Sequence, residues 1–375
     1  MKEILTNISF IQLIAIMEDW LYQLRNTKDQ TENMCITAVR KDGKALRYIE
    51  DKNEMICLMA VKQNGKALKY VENQTEEICL AAMKQDGMAL KYVREQTEAI
   101  CIESVKKCSW ALEIVKIQTE AICIEAVKKC SWALKFVENQ TEKICLAAVK
   151  GNGSVLQLVH HQTEKICLAA VRKNGSALEY VNEPGVRLSA SVPSIGLDEA
   201  LARNNQTEEI CLMAVKQCGM ALQYVKEQSE EICLTAVTEN GFALRHVKEQ
   251  TEQICLIAVN QDGLNIEHVK NQTEEMCLEA IKHRGRSVWD FLKIWTEEVC
   301  LELVRQDSST FCDMSEDLQT FDVCVKAMNR PMHNDRGQAM HIRDRLKRIT
   351  NPEMRGQVKQ VLEGKRFLRT KSAKR

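Results

Sequence analysis

The residues best equipped for chemistry are the cysteines, and their spacing is regular. Cys35, Cys57, Cys79, Cys101, Cys123, Cys145 and Cys167 follow one another at intervals of 22 residues, and the series resumes at Cys211, Cys233, Cys255 and Cys277, then Cys300. A thiol can ligate a metal, close a disulfide or act as a nucleophile. Metal ligands converge on one ion, as in C-x2-C pairs, and no such pair occurs in this chain. A disulfide needs Cα atoms within about 7 Å, whereas equivalent helices in a stack lie roughly 8–10 Å apart. The column therefore reads as a small, buried hydrophobe. An odd count of 17 cysteines in 375 residues also argues against a disulfide framework and for a reducing, intracellular compartment. Cys108, Cys130 and Cys218 differ, because they stand in turns just before Ser109, Ser131 and Gly219. Exposed thiols there could react, but no histidine or helix N-terminus is placed to activate them.

The histidines offer little more. His160-His161 falls at a helix end, His246 and His268 stand where other repeats carry tyrosine, and His333 and His341 lack a partner carboxylate pattern. No glycine-rich phosphate loop, Ser/His/Asp order or H-E-x-x-H is present. The expectation is a non-enzyme with no catalytic residue, metal or cofactor. Any separate activity would have to lie in residues 307–375, which do not repeat.

What positions these residues is an internal repeat. Thirteen repeats span residues 31–306, with 185–206 degenerate and Ser189 in the cysteine's place. Thr75 to Gln96 serves as the specimen. Thr75 is an N-cap, Glu76 and Glu77 suit the positive end of the helix dipole, and Lys84 suits the other end. Ile78, Cys79, Leu80, Ala82 and Met83 form the apolar arc. Gly87 is expected to end the helix in a left-handed conformation, after which a second helix runs from Met88 to about Glu95. Ala89, Leu90, Tyr92 and Val93 should face inward, and the alanine column lets helices approach closely. A single repeat buries too few side chains to fold alone, so each must stack on the next. The fold class is all-α, an α-solenoid of tandem 22-residue helix-turn-helix repeats. Residues 1–30 read as capping helices; their apolar stretch lacks the flanks of a signal peptide. No apolar run approaches the roughly 20 residues of a membrane span. Residues 307–375 read as a degenerate cap followed by a basic tail.

The phrase Gln-Thr-Glu-Glu-Ile-Cys-Leu-Ala-Ala (74–82), followed by Asn-Gly or Asp-Gly and Ala-Leu-Lys-Tyr-Val, resembles a helical-repeat family of unknown function. That family is associated with amoeba-infecting giant viruses and with bacteria living inside amoebae. The resemblance covers most of residues 31–300. It implies an intracellular repeat protein, in a host cell if the source is viral or the protein a secreted effector, and brings no reaction with it.

Charge is unevenly distributed. The chain holds 52 basic and 52 acidic residues, but residues 329–375 carry a net of +10 and residues 1–328 a net of −10. Arg355, Lys359, Lys365, Arg366, Arg369, Lys371, Lys374 and Arg375 are the candidates for holding a nucleic acid or an anionic surface without sequence specificity. The glutamate column (Glu32, Glu54, Glu76 and onward) and the Lys/Arg column at the other helix end read as dipole compensation.

The position after the turn glycine varies while its surroundings do not: Lys44, Lys66, Met88, Trp110, Trp132, Ser154, Ser176, then Met220, Phe242, Leu264 and Arg286. Trp and Met are enriched where proteins bind proteins. Met88, Trp110, Trp132, Met220, Phe242 and Leu264 are therefore the candidate partner-binding residues, and a protein-interaction scaffold is the leading expectation. The alternative is a nucleic-acid-binding repeat protein that uses turn pairs such as Gln63-Asn64, Gln85-Asp86 and Gln261-Asp262 together with the basic tail.

Overall fold

A computed structural model describes residues 20–21, 23–181, 206–330 and 341–372. The chain forms two compact halves, Met1–Asn205 and Gln206–Arg375. Each is an all-α stack in which, among the described residues up to Asp313, every repeat pairs one α-helix with one 3-10 helix, and neighbouring repeats pack in chain order. Among the described residues there is no β-strand. The degenerate repeat at 185–206 and most of the N-terminal cap lie outside the described residues; of the cap, Leu24 is buried.

The first element behaves as its residues dictate. The helix Glu76–Gln85 starts at Thr75, whose side chain accepts a hydrogen bond from the Ile78 N–H, with Glu76 and Glu77 in its first turn and Lys84 in its last. Its Ile78, Cys79, Ala82 and Met83 are buried. Leu80, expected in the core, is only half-buried.

The second element differs from the expected α-helix. It is the 3-10 helix Gly87–Tyr92, and it ends at Val93, whose extended backbone returns an N–H to Leu90 O. Six residues is long for this geometry, whose side chains eclipse at i and i+3. Burial holds it: Ala89 and Leu90 are fully inaccessible and Val93 nearly so. Tyr92 stays half-buried. The glycine also has another reason than the expected one. Asp86 is extended (φ −143°) and caps the 3-10 helix by accepting from the Met88 N–H. Among the described glycines only Gly285 has a positive φ, 55°. The glycines that open the 3-10 helices mark close approach between repeats: a Cβ at Gly65 would lie 2.8 Å from the Ala82 carbonyl oxygen of the next repeat. Where Ser131 replaces this glycine, Gly151 in the following helix leaves room for its hydroxyl.

A glutamine that precedes the N-cap in most repeats, with Lys52 and Trp295 in its place at two, staples one repeat to the next. Gln118 Nε2 donates to Phe136 O at 2.8 Å, its Oε1 accepts from the Glu138 N–H at 3.1 Å, and Cys123 Sγ lies 3.6 Å from the same oxygen. Gln74, Gln96, Gln140 and Gln250 repeat the donation. The staple satisfies the backbone where the 3-10 helix ends, which the short helix cannot do itself. A second bridge joins the columns of N-caps and glutamates: Thr119 Oγ1 donates to Glu98 at 2.6 Å and Thr141 Oγ1 to Glu120 at 2.7 Å. Ser104, standing where most repeats have alanine, is fully buried and donates to Gly87 O at 2.7 Å.

In the C-terminal half the cap draws in part of the basic tail. The repeat pattern continues through Ser308–Asp313 and Phe321–Met328. The Ile342–Leu346 helix then takes the place of a 3-10 helix, and Thr350 offers its N–H to Gln319 Oε1 at 3.1 Å, as Arg94 does to Gln74. The final helix, Pro352–Ser372, packs on Phe321–Met328 and buries Val358 and Leu362. The first turns of the basic tail are thus the lid of the stack, because an apolar end face needs a cover.

Candidate functional site

The variable column is built by the 3-10 helix. Asp86, Asn240 and Asp262 accept from the N–H of Met88, Phe242 and Leu264, whereas the cap residues before Trp110, Trp132 and Met220 are cysteines that make no such bond. Trp110 is 43% exposed, Trp132 38%, Phe242 43% and Leu264 37%, whereas Met88 and Met220 are half-buried. In the N-terminal half Met88, Trp110 and Trp132 occupy one position in three consecutive repeats; Met220, Phe242 and Leu264 do the same in the C-terminal half.

Two of the exposed rings, Trp110 and Phe242, lean on the following repeat. Trp110 meets Phe136 edge-on at 5.4 Å, and Phe242 meets His268 at 4.9 Å. Lys135 Nζ sits 4.3 Å from the Trp110 ring centre and 4.5 Å from that of Phe136. The same cation-on-ring contact recurs at Arg47 with Tyr48 (4.7 Å), Lys69 with Tyr70 (4.6 Å) and Lys91 with Tyr92 (5.0 Å). Sequence reasoning assigned Tyr92 to the core and missed this ladder. Its signal was a recurring cation-aromatic dipeptide: Arg47-Tyr48, Lys69-Tyr70, Lys91-Tyr92 and Lys135-Phe136.

The turn pairs considered for base reading are engaged within the stack. Gln85 Oε1 accepts from the Gly65 N–H at 2.7 Å, and Gln63 and Gln261 do the same for Gly43 and Gly241. Asn64, Asp86 and Asp262 cap 3-10 helices. The glutamate column carries the bridges to the N-cap threonines, which hold the Glu120 carboxyl below its usual range through Thr141 and then Lys143.

The column cysteines are buried free thiols whose burial raises their pKa, to about 11 at Cys123, Cys145 and Cys167. Cys108, Cys130 and Cys218 are partly exposed. Burial lowers the pKa of His160 and of His246; for His246, Arg245 and His268 add to the effect. Among the described residues no three His, Cys, Asp or Glu side chains converge as a metal site, and no helix is long and apolar enough to cross a membrane.

Two other surfaces stand beside the column. A groove of about 800 Å³ runs over the first-helix face, lined by Leu58, Leu80, Ala81 and Lys84 among others. Met59, Ala81, Glu103 and Glu125 on that face are half-exposed. In the tail, Arg355 donates twice to Ile349 O and Lys359 lies 3.9 Å from Glu363, so Arg355 helps build the lid. Lys365, Arg366, Arg369 and Lys371 fall within the final helix, and Lys374 and Arg375 lie outside the described residues.

No curated protein and no solved structure matches the chain. Residues 31–75, 56–97, 141–184 and 207–251, each about two repeats long, match the family model described as Domain of unknown function (DUF4116).

Proposed function

We propose that this chain is a non-catalytic helical-repeat scaffold that binds another protein through its column of variable 3-10 side chains. The observation that carries the reading is the exposure of Trp110 and Trp132 at one position of a scaffold whose core changes little from repeat to repeat. Aromatic anchors dominate interface energy, and Trp110, held edge-on by Phe136, loses little freedom on binding. Nucleic-acid recognition is less well supported, since the Gln63, Gln85 and Gln261 side chains are already bonded within the stack. The 17 free thiols fit a reducing compartment, where a host-cell protein is one class of partner.

The test compares Trp110→Ala/Trp132→Ala with Leu112→Ala/Leu134→Ala. The leucines are fully buried, so their truncation costs about 2–5 kcal/mol each and lowers the melting temperature sharply. The tryptophan variant should melt close to wild type and lose partner capture at least roughly 30-fold, if each truncation costs about 1 kcal/mol. A tryptophan variant that unfolds like the leucine variant makes the rings core residues. One that stays folded and captures its partner fully moves the surface to the first-helix face of Met59, Ala81, Glu103 and Glu125.

A further inference from the structure

We propose that the segment bound by the N-terminal half is an acidic, extended peptide lying across the 3-10 helices from Gly43 to Phe136. This rests on the reading of that edge as protein-binding, and it names the partner's chemistry. The five consecutive 3-10 helices carry six cations, Lys44, Arg47, Lys66, Lys69, Lys91 and Lys135, against one carboxylate, Glu113. All seven side chains are exposed, with Lys66 lying 4.0 Å from the cap carboxylate of Asp86. Residues 1–328 as a whole have a net charge of −10, so this edge is a basic strip on an acidic body. Such a strip steers and selects a partner of opposite sign. The C-terminal half does not share it: Gly219–Tyr224, Gly241–His246 and Gly263–His268 hold Arg245 and Glu267 as their only fixed charges.

Single-stranded nucleic acid is also anionic and stacks on aromatic rings. Of the six rings along the strip, all but Trp132 already have a cation over one face. Ammonium or guanidinium groups cover Tyr48, Tyr70, Tyr92, Trp110 and Phe136 at 4.3–5.0 Å from their centres. A base would have to displace those cations to stack, whereas a carboxylate pairs with them from outside and leaves ring edges free for apolar side chains. Spacing agrees. Packed helices repeat at roughly 8–10 Å, and a polyproline-type peptide advances roughly 9 Å in three residues. Every third residue of such a peptide therefore faces the same position of successive repeats: acidic over Lys69 and Lys91, apolar over Met88, Trp110 and Trp132.

The experiment pans a phage-displayed library of random peptides, about twelve residues long so as to span four repeats, on the full chain. Parallel panning uses Trp110→Ala/Trp132→Ala and Lys66→Gln/Lys69→Gln/Lys91→Gln/Lys135→Gln, both checked by melting to be folded. The expected result is enrichment of peptides rich in Asp and Glu with an apolar residue between them. A synthetic copy should bind wild type at least about tenfold more tightly than either variant, and more weakly as salt rises. Enriched peptides that are neutral or basic, or that bind the lysine variant equally, overturn the acidic assignment; if they still require Trp110 and Trp132, the protein-binding reading stands. Tryptophan-dependent binding of oligothymidylate without any enriched peptide overturns both. Enrichment unaffected by either variant also overturns the proposal, by placing the site elsewhere.

Discussion

Replacing Gln118 by alanine removes one staple and leaves both helices of its repeat intact. Two backbone groups of the next repeat lose their partner, Phe136 O and the Glu138 N–H, and Cys123 Sγ loses its neighbour. A net hydrogen bond contributes about 0.5–1.5 kcal/mol, and a half-buried carbonyl left unpaired costs about 1–3 kcal/mol. Water reaches the exposed Glu138 amide, so the carbonyl dominates and the total is about 2–4 kcal/mol. At about 2–4 °C per kcal/mol for a half of this size, the melting temperature should fall by roughly 4–16 °C. Hydrogen exchange gives the sharper assay: the Glu138 amide should lose protection while amides within Glu120–Lys129 keep theirs. Gln118→Lys imitates the natural exception at Lys52, which bonds to Glu72 at 3.2 Å, and should lie between alanine and wild type. A loss under about 0.5 kcal/mol, with Glu138 as protected as before, would refute the staple as a source of stability.

Four further outcomes are expected. Gly65→Ala places a methyl 2.8 Å from the Ala82 carbonyl oxygen and should cost about 1–3 kcal/mol; Gly356→Ala, with open space around it inside a helix, should gain up to about 1 kcal/mol. The buried column thiols, six of them raised to about 11 from an ordinary 9.0, keep their protons in the folded state while unfolded thiols ionise. Their contribution is full below pH 9 and disappears as pH rises toward 11, so urea midpoints should fall steeply across that window; a flat midpoint would contradict it. Maleimide should label Cys108, Cys130 and Cys218 in the native protein well before Cys123, as mass spectrometry can read. Deleting residues 352–375 uncovers the end on which Val358 packs and should remove exchange protection from Phe321–Met328; unchanged protection there would mean that the tail is no lid.

The repeat, its threonine caps, its buried cysteines and its outward-facing column were legible because each follows from spacing within one repeat. Thr75, Cys79 and Leu90 declare their roles through local periodicity. What escaped was whatever couples one repeat to the next. Gln118 reaches its partners 18 and 20 residues on, a distance at which a recurring polar residue looks like ordinary surface. Gly87 looked like a helix terminator because glycine commonly is one, and only the position of the next repeat shows that space is the reason. The 3-10 geometry was hidden for a related cause: Ala89, Leu90 and Val93 are buried under either helix type, and the choice is made by packing. Lys135 over Trp110 was invisible because the two belong to different repeats, although the cation beside each aromatic was in plain view.

The 18- and 20-residue reach of the staple has a consequence for how such a chain changes over generations. A duplicated stretch of 22 residues arrives with a donor for the old neighbour and an acceptor edge for the new one, so gene-level recombination can lengthen or shorten the stack without redesigning a junction. Residues 96–117 and 118–139, alike down to Lys-Lys-Cys-Ser-Trp-Ala-Leu, have the look of one such copying event. Insertions of any other length shift both partners out of reach. The 23-residue repeat from Thr273 to Trp295 shows what escape from that rule requires, since its extra residue is absorbed at Gly285, where the backbone turns left-handed. Chains built this way should differ from their kin chiefly by whole repeats, with other lengths confined to places that can take up the slack, as the short 3-10 helix Glu316–Leu318 does in the 24-residue, glycine-free repeat from Thr296 to Gln319.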